Sequence, residues 1–198
     1  DWDATEKHLD YVISNGADGV VVTGTTGETS TLTDAEKLQL VRVGKSVAAG
    51  RAKIITGGGS NETAHAIQLY KASEEAGADG VMIVTPYYNK PTQAGVLTHF
   101  RLIADATDLP VILYDIPGRT GIPIQFETIL RAAKHPNVVA IKDAKGDFAQ
   151  VSRVLNETDL LYFSGDDSNV LPHISLGATG LIGVTANIAP KAYRDLVD

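Results

Sequence analysis

The chain has 198 residues, 43% hydrophobic and 21% charged, which is ordinary for a globular protein and enough for one sizeable core. A net charge of -7 with scattered basic residues argues against nucleic acid as a partner, and the absence of cysteine excludes disulfides, thiolate catalysis and cysteine zinc sites while fitting a reducing cytoplasm, the location expected here. The apolar runs are far shorter than the roughly 20 residues of a membrane-spanning helix, and no basic-then-apolar leader or lipidation signal opens the sequence, so neither a membrane partner nor export is expected.

Seven short segments rich in Val and Ile recur at residues 19–23, 52–56, 80–85, 110–115, 138–143, 160–164 and 180–185. Each is nearly continuously apolar, the mark of parallel strands covered on both faces. Between them lie stretches of helical character at about 3–15, 33–49, 61–76, 92–107, 123–135, 147–157 and 168–176, with a last one from 188 onward. Thr33 with Glu36 reads as a capping box opening the second helix, and Asp3 with Glu6 as the same device in the first. One joint repeats: Gly16-Ala-Asp-Gly19 precedes the first strand, Gly77-Ala-Asp-Gly80 the third and Gly177-Ala-Thr-Gly180 the seventh. The first glycine suits the left-handed end of a helix, and the second suits a tight turn into a strand.

A chain that begins on a helix and then runs seven strand–helix units reads as an α/β protein, a (β/α)8 TIM barrel lacking its first strand. An open doubly wound sheet is the alternative. No linker or break in composition divides the chain, so residues 1–198 are expected to form a single barrel domain, a fragment in which the last helix stops without a cap.

Active sites of such barrels lie at the C-terminal ends of the strands. The fifth strand, Val-Val-Ala-Ile-Lys-Asp, ends by presenting Lys142. A lysine amine leaving an apolar core tends to lose its proton or find partners, and a neutral amine attacks ketones and aldehydes to form a Schiff base. The alternative is that Lys142 points into water. The first strand ends in Gly24-Thr25-Thr26-Gly27-Glu28, a tight turn or an anion cradle. The third strand runs into Tyr87-Tyr88, as packing or catalytic side chains. The fourth delivers Tyr114, as packing or as a phenol that gives and takes protons, and then Arg119, solvated or bound to a carboxylate. Asp166-Asp167 follows the sixth strand; with no third ligand at useful spacing, helix capping is the expected use, and the five dispersed histidines offer no metal-ligand spacing. Neither a metal nor a cofactor is expected. The run Gly57-Gly58-Gly59 lacks both phosphate-loop spacings and reads as a turn that keeps the pocket floor open.

Taken in order, Gly24-Thr-Thr-Gly-Glu28, Pro86-Tyr-Tyr-Asn89, Tyr114-x-x-Pro-x-Arg119-Thr120 and Ile141-Lys142 resemble the dihydrodipicolinate synthase family over essentially the whole length. The resemblance implies condensation of pyruvate with aspartate 4-semialdehyde on the diaminopimelate route to lysine. It assigns the Schiff base to Lys142 and proton transfer to Tyr114, in a relay with Thr25 and with Tyr88 from a neighbouring subunit, hence at least a homodimer or a homotetramer. It gives the pyruvate carboxylate to Thr26, a backbone contact to Ile182, the aldehyde's carboxylate to Arg119, and a pocket-lining place to Gly165. Sibling aldolases acting on sialic acid or 2-keto-3-deoxy sugar acids share the lysine, the first tyrosine and the glycine-threonine loop, and a catalytically silent keto-acid-binding barrel is the reading from another class. The chain departs from the family at Asp115, where members usually carry Asn, and lacks the family's first strand and C-terminal helical region. Positions that hold histidines and a glutamate in lysine-inhibited members are Asp34, Lys37 and His65 here, which argues against lysine feedback, although Asn61 and Tyr87 are retained.

Overall fold

Alternating apolar runs and capped helices organise the chain as expected. The structure is a computed structural model that describes residues 1–57 and 59–198; Gly58, the centre of the glycine run, lies outside the described residues. Seven strands are seen: β1 Gly19–Val21, β2 Lys53–Thr56, β3 Gly80–Val84, β4 Val111–Asp115, β5 Val138–Asp143, β6 Leu161–Ser164 and β7 Gly180–Leu181. They form one sheet in sequence order, every neighbouring pair parallel.

That order separates the two architectures. A doubly wound sheet reverses strand order at a switch point and carries helices on both faces. Here the order never reverses, and among the described residues one face packs on itself: Met82, Ile112, Tyr114 and Ala140 meet Val21, Ile55, Phe163 and Ile182, all from strands or the turns leaving them. The sheet is therefore curled into barrel geometry around an interior layer, with the helices outside. The outer layer is the larger core, in which Val81, Ile83, Leu113 and Ile141 of the strands pack against Tyr70, Phe100, Ile103, Ile129 and Val151 of the helices. Side chains alternate between the two layers, so Lys142 and Tyr114 face inward while Asp143 and Asp115 face the helices.

The helices are α1 Trp2–Ser14, α2 Asp34–Ala48, α3 Thr63–Glu75, α4 Gln93–Ala104, α5 Pro117–Thr120, α6 Phe126–Ala132, α7 Phe148–Glu157, α8 Val170–Ser175 and α9 Pro190–Val197. Helix α4 buries Val96, Phe100, Ile103 and Ala104, a helical spacing, and each large side chain stabilises by roughly 1.5–3 kcal/mol on burial. The Thr33–Glu36 capping box forms, with Thr33 Oγ1 accepting from the Glu36 N–H at 3.3 Å and Glu36 accepting from the Thr33 N–H at 2.8 Å. The Asp3–Glu6 box does not. The chain enters α1 earlier, where the Asp1 carboxylate accepts from the Ala4 N–H at 3.1 Å, leaving Asp3 in the first turn.

Other boundaries move for identifiable reasons. The segment expected to be helical from 123 stays extended through Gln125, because the Ile124 N–H donates to Asp115 and the Gln125 N–H to Gln93. Strands β1 and β7 are shorter than expected: each pairs on one side only among the described residues, and both chains turn into 3-10 helix soon after leaving the ladder. The segment expected as one helix over 168–176 splits into a 3-10 turn, Asp167–Asn169, and α8.

The repeated joint works differently at its two glycines. Gly16, Gly77 and Gly177 take φ of +103°, +97° and +102°, the left-handed conformation that ends a helix. In the first two copies the second glycine answers to close packing between strands, since a Cβ on Gly19 would lie 3.1 Å from the Lys53 carbonyl and one on Gly80 3.0 Å from Ile55 Cδ1, whereas a Cβ on Gly180 would meet nothing nearer than Val197 at 3.5 Å among the described residues. Between them, Asp79 accepts the Ile54 N–H at 2.8 Å and Thr179 the Tyr162 N–H at 3.2 Å, tying each joint to the preceding strand. The helix layer meets across the two sheet edges, where Tyr11 donates to the Ile188 carbonyl at 2.9 Å, His8 contacts Asn187 at 2.9 Å, and Arg194 pairs with Asp18.

Candidate active site

Parallel register puts Tyr114 of β4 directly beside Lys142 of β5, both near the C-terminal ends of their strands and both facing the barrel interior. The Lys142 amine stands over the Tyr114 ring, 4.3 Å from its centroid. Its stem lies across Gly165, where a Cβ would come within 3.0 Å of Lys142 Cε and Cγ and within 3.1 Å of Ala144 Cβ, so only glycine leaves the lysine this path. Burial lowers the Lys142 pKa to about 8, against the pull of Asp167, which favours the ammonium. Burial raises the Tyr114 hydroxyl above its ordinary value, while the Thr25 side chain and the Arg119 charge act in the opposite sense. The result is an amine that is partly neutral near physiological pH beside a phenol that keeps its proton, the starting states for nucleophilic attack on a carbonyl and for proton donation.

Behind this pair, on the helix-facing side of the same strands, sit two carboxyls at register-paired positions, Asp115 and Asp143, 0% and 1% exposed. Asp143 accepts from the Lys145 N–H at 2.6 Å, the Gly146 N–H at 3.3 Å and the Tyr162 hydroxyl at 2.8 Å, with His173 Nε2 at 3.4 Å. Burial opposes its charge, but these partners hold its pKa below the usual carboxylate value. Among the described residues Asp115 accepts from the Ile124 N–H alone; burial and the Asp143 charge push it up to about 7, partly offset by that bond and by Lys145.

The remaining expected residues divide. Thr25 and Thr26 open a 3-10 turn, Thr25–Gly27, whose first N–H groups have no partner within the turn, as a cradle for an anion requires; both residues are exposed at the rim. Arg119 is carried on the short helix α5, started by Pro117 at its first position. Ile182 packs in the interior layer and donates its N–H to the Ser164 carbonyl at 2.9 Å. Tyr88 is not brought to the amine: it is 90% exposed, on a backbone with φ of +73°. Gly57 and Gly59 serve packing, since a Cβ on Gly57 would lie 3.0 Å from Met82 and Val21 of the interior, and one on Gly59 would strike the Tyr70 hydroxyl.

Two functional positions escaped sequence reasoning. Asp166 caps as expected, accepting from the Ser168 N–H at 2.9 Å, but Asp167 instead accepts from the Val184 and Thr185 N–H groups at 3.1 Å each, fixing the exit of β7 while its charge faces Lys142. Asp143 escaped because its side-chain partners lie 19 and 30 residues further on. Among the described residues no cluster of three or more His, Cys, Asp or Glu side chains could hold a metal ion. A cleft of about 770 Å³ opens at the opposite end of β5 and β6, lined by Leu130, Val138, Leu160 and Leu161, away from the amine and phenol.

Fold and site define the class: a parallel β/α barrel with an amine–phenol pair at its C-terminal rim. The chain belongs to the dihydrodipicolinate synthetase family, whose profile matches residues 1–198. It is 52% identical over 188 residues to the 4-hydroxy-tetrahydrodipicolinate synthase of Acidothermus cellulolyticus and 50% identical over 196 residues to that of Corynebacterium aurimucosum, covering 95% and 99% of this chain but 61% and 65% of those proteins. The chain thus spans somewhat under two thirds of the length of these curated relatives. Among solved structures it is similar to the dihydrodipicolinate synthase of Cyanidioschyzon merolae with lysine bound (43% identity, TM-score 0.97) and to the chloride-inhibited enzyme of Acinetobacter baumannii complexed with pyruvate (45% identity, TM-score 0.96); each match covers all of this chain and 68% of the other. No helix among the described residues is long and apolar enough to cross a membrane.

Proposed function

We propose that the protein condenses pyruvate with aspartate 4-semialdehyde to 4-hydroxy-tetrahydrodipicolinate, as a cytoplasmic lyase of lysine and diaminopimelate biosynthesis. The observation that carries this reading is the Lys142 amine, depressed to about 8 by burial, held over the Tyr114 ring. Family membership and relatives near 50% identity bearing that enzyme's name support it. So does the similar Acinetobacter baumannii structure complexed with pyruvate.

In this mechanism neutral Lys142 attacks the pyruvate ketone and expels its oxygen as water, leaving an iminium. Loss of a proton from the adjacent methyl gives an enamine, which attacks the aldehyde carbon of the second substrate. The aldehyde oxygen takes a proton to become a hydroxyl, and the substrate's own amine then adds to the iminium carbon, closing the ring and displacing the Lys142 amine. Tyr114 supplies and recovers the protons, relayed through Thr25 and through Tyr88 of a neighbouring copy in a homodimer or homotetramer. The outward stance of Tyr88 suits such a role. Thr26 holds the pyruvate carboxylate at the turn, with Ile182 contributing its backbone and Gly165 lining the pocket, and Arg119 receives the carboxylate of the aldehyde. Two acidic substrates need two anion sites, and these lie on different strand ends.

Borohydride reduction in the presence of pyruvate, followed by peptide mass analysis, tests the reading: label is expected at Lys142 and to vanish in Lys142→Ala, and label elsewhere or none removes the function. Turnover with aspartate semialdehyde rather than with sugar aldehydes separates this activity from that of sibling aldolases, and pyruvate capture with no turnover on any aldehyde would favour a silent keto-acid binder. Tyr88→Phe is expected to cut turnover by about tenfold or more with little loss of folding.

A further inference from the structure

Asp115 stands at a junction that the mechanism above does not use. Its Oδ1 accepts the Ile124 N–H at 3.0 Å, closing the loop that runs out from β4 through α5 and back, the loop that presents Arg119. Thr120 braces the same loop from within, donating to the Ile116 and Ile122 carbonyls at 3.1 and 2.9 Å. The other carboxyl oxygen of Asp115, fully buried, has no hydrogen-bond partner among the described residues. Across the ladder its register partner Asp143 collects three donors, with His173 Nε2 at 3.4 Å beside them, where Asp115 has one. The titratable and charged groups facing Asp115 are Asp143 on β5, Lys145 in the turn after it and Tyr162 on β6, with His173 of α8 behind Asp143; α7 contributes the neutral Gln150, which donates to the Ile124 carbonyl at 3.4 Å.

We propose that Asp115 is a positioning residue that works as a neutral acid: its buried carboxyl pins the return of the loop presenting Arg119, and so sets how tightly the site holds the carboxylate of the aldehyde substrate. This rests on the proposed function, which makes Arg119 the receiver of that carboxylate. Two buried carboxyls on neighbouring register positions do not both ionise cheaply, and the single negative charge settles where the donors are, on Asp143. The proton then stays on Asp115, whose pKa of about 7 places its loss within the working range of pH. Once Asp115 ionises, a second charge with a single donor sits behind the strand ends, and displacement of the loop relieves it.

The test compares wild type, Asp115→Asn and Asp115→Ala at about pH 6 and about pH 8.5, reading KM for aspartate semialdehyde, kcat, and borohydride capture of pyruvate at Lys142. Asn keeps the acceptor for Ile124 and cannot ionise. Its KM is expected to match wild type within about twofold at the lower pH and to stay there at the higher one, where the wild-type KM rises about threefold or more. Ala is expected to raise KM about tenfold at both pH values, with pyruvate capture alike in all three proteins. If the Asn variant follows wild type between the two pH values, or if the Ala defect falls on pyruvate capture, the inference is overturned. Absence of pyruvate capture in wild type would instead overturn the function on which it rests.

Discussion

At the scale of the residue, Lys142 draws its chemistry from desolvation, with Asp167 as the counterweight. With the amine at about 8, its neutral fraction grows roughly tenfold per pH unit below that value and levels off above it. The rate of pyruvate capture, followed by quenched borohydride labelling across pH 6 to 10, is expected to trace that curve; a rise continuing to the ordinary lysine value would mean that burial does not tune the amine. Gly165→Ala tests the geometry. The added methyl meets the lysine stem at 3.0 Å, so capture is expected to slow about tenfold, ~1.4 kcal/mol in the barrier, while thermal unfolding changes little. Lys142 and Tyr114 were legible because both stand at the C-terminal ends of short apolar runs, where a parallel barrel presents its functional side chains, and because their residue types suit the chemistry. Asp115 and Asp143 were not, because a strand buried on both faces gives no alternation from which to tell inside from outside.

At the scale of the element, the capping box of α2 and the glycines closing α1 and α3 were readable because local chemistry decides them. The late start of α6 was not, since it depends on Gln93 and Asp115, 32 and 9 residues away from the backbone groups they bind. Helices α3 and α4 carry a further consequence. His99, 3% exposed, contacts Thr63 Oγ1 at 3.0 Å through Nδ1, and burial lowers its pKa to about 4. The unfolded chain therefore binds a proton between about pH 6.5 and 4 that the folded chain refuses, and stability falls as pH drops through that window, by up to about 3 kcal/mol. His99→Gln is expected to flatten that part of the stability curve in urea titrations at pH 4.5 and 7; an unaltered slope would place the acid sensitivity elsewhere.

At the scale of the molecule, sequential parallel order is what alternation of strands and helices predicts, and the curled sheet with its strand-only interior decides between the barrel and the doubly wound sheet, which the sequence left open. Contacts between α1 and the segment around Ile188 join the first and last parts of the helix layer. Tyr11→Phe removes one of those bonds and is expected to cost about 1 kcal/mol, seen as faster hydrogen exchange in α1 and α9 together; exchange confined to one helix would mean that the two do not act as a unit. The curled sheet has a further tie, between the exits of its last two strands, in the carboxylate of Asp167. Because a single side chain both shapes the wall of the mouth and biases the nucleophile toward its ammonium, any replacement at 167 alters the two together.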